Sequence, residues 1–214
     1  MVRPHLSTSA INAKARAKRM AEFARRFPEV RDMSVIDLGG FPDFWLASEV
    51  RPRHVTVVNL DPINGASIAD GGLDPDVPWL TCIVADACRY DGAPADLVFS
   101  NSLLEHVGGI ANREALAATV RGLAPHHWVQ TPYRYFPIEP HWGIPGFQFL
   151  PLPARSRLGR RRWTQNVELP AAEALHESVW TELLSITEMH YLFPESEIWF
   201  ERYAGLVKSL VAVK

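Results

Sequence analysis

The chain has 214 residues, of which 47% are hydrophobic, and a formal net charge of −2. That length suits one large domain, and the apolar share can fill a substantial core. So small a charge excludes whole-surface attraction to nucleic acid or to an anionic membrane as the basis of function.

No apolar run approaches the ~20 residues of a transmembrane helix, and the start "MVRPHLSTSAINAKARAKRM" has no apolar signal-peptide core. Cys82 and Cys88 do not form a C-x-x-C pair, which fits a reducing compartment and a cytoplasmic location. The first predicted element is a helix over 11–27. Its sequence, "INAKARAKRMAEFARRF", carries Ile11, Met20, Phe23 and Phe27 as apolar anchors and a basic face read as solvated. "MSVIDLGG" follows as a buried strand entering a tight turn. Pro42 then opens a short helix in "FPDFWLASEV". "HVTVVNLDP" is a second strand and "PWLTCIVADA" a third. "ADLVFSNSLLEHV" gives a fourth strand, a turn at Ser100 and Asn101, and the start of a helical stretch. "NREALAATVRGLAP" is an amphipathic helix stopped by Pro125, and "HHWVQTP" is a fifth strand. "VWTELLSITEMHYLF" reads as one helix. "SEIWFERYAG" and "LVKSLVAVK" then form an antiparallel hairpin.

Strand and helix alternation predicts an α/β fold. The expected sheet is seven-stranded, Rossmann-like and mostly parallel, with helices on both faces and the hairpin at its edge. One domain spans 1–214, with 133–180 inserted as a wall or lid of the substrate pocket.

In such sheets ligands bind beyond the carboxyl ends of the strands. Four polar signals fall there: "DLGG" (Asp37 to Gly40), "NLD" (Asn59 to Asp61), "ADA" around Asp86 and "SNSLLEHV" (Ser100 to Val107). The glycines let backbone approach a ligand. An acid or amide after the second strand can hold a ribose diol, and Asp86 can accept from an adenine amino group. A nicotinamide dinucleotide is the rival ligand, because Asp61 lies about 20 residues past the glycines. The absence of G-x-G-x-x-G, and Asp37 in the turn facing a pyrophosphate, argue against it.

With these motifs in this order, the sequence resembles class I S-adenosylmethionine-dependent methyltransferases from about Ser34 to the C-terminus. The carriers of the resemblance are "VIDLGG", "NLD", the "DA" of Asp86 and Ala87, "DLVFSNSLLEHV" and "ERYAGLVKSLVAV". The resemblance implies that Asp37, Gly39 and Gly40 line the methionine part of the cofactor. Asn59 or Asp61 would hold the ribose, Asp86 and Ala87 the adenine, and Ser100 and Asn101 the floor near the sulfonium. Phe41 and Pro42 replace the further glycine usual in that family.

The segment "YFPIEPHWGIPGFQFLPLP" packs five prolines among aromatic residues. Similar "FPIEPH" segments occur in a subset of the family. Pro140 biases Glu139 toward extended backbone, which would set Glu139 and His141 on one side, roughly 7 Å apart at their bases. Methyl transfer to a hydroxyl requires alignment and loss of a proton. His141 is the expected base, oriented by Glu139, with His106 as the second candidate. Glu105, His106, Glu139 and His141 also offer a mixed donor set that could take Mg²⁺. His126 and His127 are read as structural.

The basic run "ARSRLGRRRW" and the seven tryptophans, Trp142 and Trp163 among them, suit a polyhydroxylated acceptor. The expectation is therefore O-methylation of a sugar or oligosaccharide in polysaccharide biosynthesis. Mycobacterial O-methyltransferases acting on methylated mannose polysaccharide precursors are similar in overall character. The alternatives are a carboxylate, amine or lipid-linked acceptor, or a non-catalytic cofactor-binding module. Neither a nucleic-acid partner nor a membrane span is expected, and the assembly is open to a homodimer.

Overall fold

The computed structural model describes residues 10–60, 77–162 and 167–214. Asp61 and Trp163 therefore lie outside the described residues. Helix α1 (Ala10–Arg26) precedes strand β1 (Ser34–Leu38), the short helix α2 (Pro42–Leu46) and strand β2 (His54–Asn59). Strands β3 (Leu80–Val84) and β4 (Leu97–Asn101) lead to helix α3 (Gly109–Leu123) and strand β5 (His126–Pro132). Helix α4 (Leu152–Leu158) and a small hairpin, β6 (Arg161–Arg162) with β7 (Val167–Glu168), form the next layer. Helices α5 (Ala171–Trp180) and α6 (Ile186–Leu192) precede the hairpin of β8 (Glu197–Tyr203) and β9 (Leu206–Val213).

The main sheet has seven strands in the order β3-β2-β1-β4-β5-β9-β8. Strands β1 to β5 pair in parallel, and β9 pairs antiparallel with both β5 and β8. The predicted fold class is what forms. Successive side chains on a strand face opposite ways, so each apolar run feeds two cores. Val35, Phe99 and Trp128 face α1 and α2, packing with Phe23, Phe27 and Trp45. Their neighbours Ile36, Val98 and Val129 face α3 and α6, packing with Leu116, Val120 and Met189.

Two local expectations change. The fourth strand runs through Ser100 and Asn101, and the turn comes at Ser102, whose φ is 61°. The single helix expected over "VWTELLSITEMHYLF" is two. Leu184 there forms a bridge with Tyr133, and its carbonyl accepts from the Arg134 amide at 2.9 Å. Ser185 then starts α6 with a capping box closed by Glu188. Pairing with the loop after β5 outweighs the helix propensity of this stretch. Among the described residues no helix is long and apolar enough to cross a membrane.

The basic face of α1 is not wholly solvated. Arg19 turns inward and donates to Asn101 Oδ1 at 2.6 Å, Gln130 Oε1 at 3.3 Å and Glu201 Oε2 at 3.0 Å. It clamps α1 to β4, β5 and β8 at once. The Glu201 side chain is only 2% exposed, so losing its cation would leave a buried charge without compensation. Arg19→Met is expected to lower stability by about 3–5 kcal/mol at neutral pH, the range for breaking one side of a buried pair. Urea unfolding measures it, and a loss below about 1 kcal/mol would mean that water replaces the guanidinium.

Candidate functional site

Parallel pairing brings the carboxyl ends of β1 to β5 to one edge. The glycine turn after β1 is built around a buried carboxylate. Trp45 Nε1 donates to Asp37 Oδ2 at 2.7 Å, while the other oxygen, Oδ1, is buried with no hydrogen-bond partner among the described residues. Burial drives the Asp37 pKa up to about 7 against the opposing Trp45 hydrogen bond. Asp37 folds back over Gly40, where a Cβ would fall 1.8 Å from Oδ2. Gly39 has φ +77° and donates its amide to the Val58 carbonyl at 2.8 Å. Both glycines are required by close approach, Gly39 also by its backbone angle.

Asn59, at the end of β2, donates from Nδ2 to the Gly40 carbonyl at 2.9 Å and so braces the same turn. Asp86 lies two residues past β3 and accepts from the Cys88 amide at 2.9 Å, with Ala87 buried beside it. Burial, with Asp86 nearby, pushes the Cys88 thiol up to about 11, which leaves it inert as a nucleophile. Ser100 is fully buried, and its hydroxyl donates to the Leu38 carbonyl at 3.0 Å. It ties β4 to β1 inside the sheet instead of lining a ligand surface. Asn101, next along, takes the Arg19 hydrogen bond. Arg19 and Gln130 were not foreseen at this edge, because nothing in an Ala, Lys and Arg-rich helix marks one arginine as inward.

A second group lies beside the turn after β4. His141 lies in a turn, not on an extended run from Glu139. The Gly143 amide donates to the Glu139 carbonyl at 2.8 Å, which curls residues 139–143 into a turn. The expected separation of the pair therefore closes to direct contact, with His141 Nδ1 2.6 Å from Glu139 Oε1. Glu139 Oε2 accepts from the His141 and Trp142 amides at 2.7 and 2.8 Å. Both Glu139 oxygens are thus engaged in holding the His141 ring and the turn.

A carboxylate can only accept, so the hydrogen of this contact is assigned to His141 Nδ1, and the neutral ring then presents a lone pair at Nε2. That Nε2 lies 3.0 Å from Nε2 of His106. Burial holds the His106 pKa below its ordinary value, with Glu105 opposing. Glu105 itself is fully buried. Thr131 donates to its Oε2 at 2.9 Å, whereas Oε1 has no partner among the described residues. The short turn Leu104–His106 is held from outside as well. The Glu182 amide donates to the Glu105 carbonyl at 2.9 Å, and Trp180 Nε1 donates to the His106 carbonyl at 2.5 Å.

His127 is buried at the start of β5, bonded to the Ser196 hydroxyl at 2.7 Å. Burial lowers its pKa to about 4, in keeping with a structural role. Trp142, expected to stack on a ligand, is instead buried, stacked on Phe147 with centroids 4.5 Å apart. It is part of what makes the proline-rich segment rigid. The exposed aromatic surface there is the stacked pair Tyr135 and Phe149, 5.8 Å between centroids.

No protein-family model matches the sequence, and no curated protein matches it. Solved structures do resemble it. N-methyltransferase NodS from Bradyrhizobium japonicum WM9 is 10% identical, with a TM-score of 0.55 over 94% of this chain and 95% of that one. Magnesium protoporphyrin IX methyltransferase from Synechocystis PCC 6803, with bound SAM, is 9% identical, with a TM-score of 0.57 over 100% and 86%. The N-terminal domain of EvdMO1, in the presence of SAH and D-fucose, is 18% identical, with a TM-score of 0.50 over 92% and 81%. At these identities the likeness is one of fold, and the chain has the Rossmann-like fold of the S-adenosylmethionine-dependent methyltransferases among these structures.

Proposed function

We propose that the protein is an S-adenosylmethionine-dependent O-methyltransferase acting on a hydroxyl of a sugar or oligosaccharide. The observation that carries the reading is one edge of the sheet holding both the glycine turn with its buried Asp37 and, next to it, the Glu139–His141–His106 chain. The cradle fits the cofactor on its own terms. Gly39 and Gly40 let the turn close against Leu103 and Asp37, and the partnerless Asp37 Oδ1 suits an ammonium group. Asp37 would hold the methionine amine, Asn59 or Asp61 the ribose, Asp86 and Ala87 the adenine, and Asn101 the floor. Bound there, S-adenosylmethionine supplies a methyl carbon already activated by a sulfonium.

The chain's own residues have to align the acceptor hydroxyl and deal with its proton. Glu139 fixes the His141 ring, and His141 and His106 meet the hydroxyl. The described residues of 133–180 are read as the acceptor-side wall. Three features favour a saccharide: the exposed Tyr135–Phe149 pair as a stacking face, the arginines of α4, and a neighbour of this fold solved with D-fucose. The test is transfer of labelled methyl to a panel of sugars, methylated mannose oligosaccharides included, beside carboxylate, amine and lipid-linked acceptors. Labelling confined to the last three would overturn the sugar assignment. Calorimetry without any S-adenosylhomocysteine binding would overturn the class.

Two outcomes follow from named residues. The raised pKa of Asp37 means that the folded protein holds a proton there up to about pH 7. An ammonium group prefers the carboxylate, so cofactor binding must expel that proton. Affinity for S-adenosylhomocysteine should rise by up to about tenfold per pH unit below that point and level off above it. Asp37→Asn should bind weakly with a flat profile; a flat wild-type profile would sink the assignment. His141→Ala should lower kcat by roughly 10²–10⁴-fold with cofactor affinity nearly unchanged, because the cradle lies on other elements. A rise in KM alone would make His141 a binding residue only.

A further inference from the structure

We infer that Glu105, His106 and His141 form a binding site for one borderline d-block dication, of the class of Mn²⁺, Co²⁺ or Zn²⁺. One ligand atom from each of the three lies within 4.8 Å of the others. The two Nε2 atoms are 3.0 Å apart. Two imidazoles on one ion, at M–N of about 2.1 Å, sit about 3.0 Å apart when cis at a right angle. The rings are therefore already at ligand spacing. The shared hydrogen between them is what an ion would replace, once His106 takes its Nδ1–H tautomer.

Independent support comes from the carboxylate. Glu105 is wholly buried, yet one of its oxygens has no hydrogen-bond partner among the described residues. A buried charge left half-satisfied is costly, and an ion held by Glu105 and the two rings would compensate it. The surroundings are those of a metal centre. Glu139 holds the far nitrogen of His141, the carboxylate–histidine–metal arrangement that fixes a ligating ring. Thr131 holds the other Glu105 oxygen. Two nitrogens and one oxygen suit a d-block ion better than Mg²⁺, which prefers an oxygen shell. His141 keeps 22% of its side chain exposed, so the site is reached from solvent.

Binding of the ion does not depend on the methyltransferase reading; its role rests on it. In that role the two rings would hold the ion instead of meeting the hydroxyl themselves: the acceptor hydroxyl would take an open position on the ion and lose its proton to solvent. The oxygen then bonds the methyl carbon as the carbon–sulfur bond breaks, which yields the ether and S-adenosylhomocysteine.

The test uses the full chain, stripped with a chelator and then titrated with Co²⁺ and Zn²⁺ by absorption and calorimetry. S-adenosylhomocysteine binding is followed in parallel as the check on folding. The expected result is one ion per chain, with a Co²⁺ ligand-field band typical of nitrogen ligation. His141→Ala and Glu105→Gln should each weaken binding at least about 100-fold, and Glu139→Gln about 10–100-fold. No stoichiometric ion, or equal binding by a His141→Ala chain that still binds S-adenosylhomocysteine, would overturn the site. Full methyl transfer by the stripped protein would overturn the role. Ion binding without methyl transfer to any hydroxyl would leave the site standing and count against the proposed reaction instead.

Discussion

The parallel pairing of β1 with β2 on one side and β4 on the other is the constraint from which the rest follows. The register sets Asp37 beside Val57 and Phe99, so the chain reverses direction of winding at β1 and opens a crevice at that strand's end. Every strand from β1 to β5 then delivers its last residues to the same edge. Gly39 and Gly40, Asn59, Asp86, Asn101 and Thr131 gather there without any sequence proximity. The antiparallel β9 closes the far side of β5, and β8 brings Glu201 within reach of Arg19.

Four carboxylates are almost wholly buried in the fold: Asp37, Glu105, Glu139 and Glu201. Burying a carboxylate is costly unless hydrogen bonds and countercharges compensate. The four are compensated unequally. Glu139 has three donors on its two oxygens and serves as a rigid support. Glu201 has the Arg19 guanidinium. Asp37 and Glu105 each keep one buried oxygen without a partner among the described residues, as Glu201 does beside its arginine. The first lies in the glycine cradle and the second beside the paired histidines. Positive charge from a ligand is what each lacks, an ammonium in one case and a metal ion in the other. Glu201 at least has a guanidinium beside it, so Asp37 and Glu105 are the two places where a positively charged ligand would compensate most.

The sheet was legible because its strands are short apolar runs of β-branched residues punctuated by glycine, proline and aspartate, a signal carried by each segment alone. The glycine turn after β1 and the polar residues at the strand ends were legible for the same reason. What escaped depended on distant partners. The helix expected across Thr181–Ser185 has good local propensity, and only its pairing with Tyr133 and Arg134 breaks it. Arg19 looks like any basic residue on α1 until Asn101 and Glu201, 82 and 182 positions away, arrive to meet it. Trp142 was assigned to a ligand because tryptophan beside histidine suggests stacking, but Phe147 and the Gly159 carbonyl hold it inside.

The pairing of Glu139 with His141 shows how a spacing can be right for the wrong reason. The i, i+2 relation was read through extended backbone, where like-facing side chains stay well apart. Pro140 instead sits in a turn, and the turn folds the carboxylate onto the backbone amides of His141 and Trp142 as well as onto the ring. This is a stronger constraint than the extended reading allowed. Three hydrogen bonds set the position of Glu139, the carboxylate sets the ring, and the buried Trp142–Phe147 stack sets the turn. His141 therefore reaches His106 with little rotamer freedom left to lose. A group that must hold its lone pair on a fixed line, toward a proton or a metal, gains directly from that rigidity.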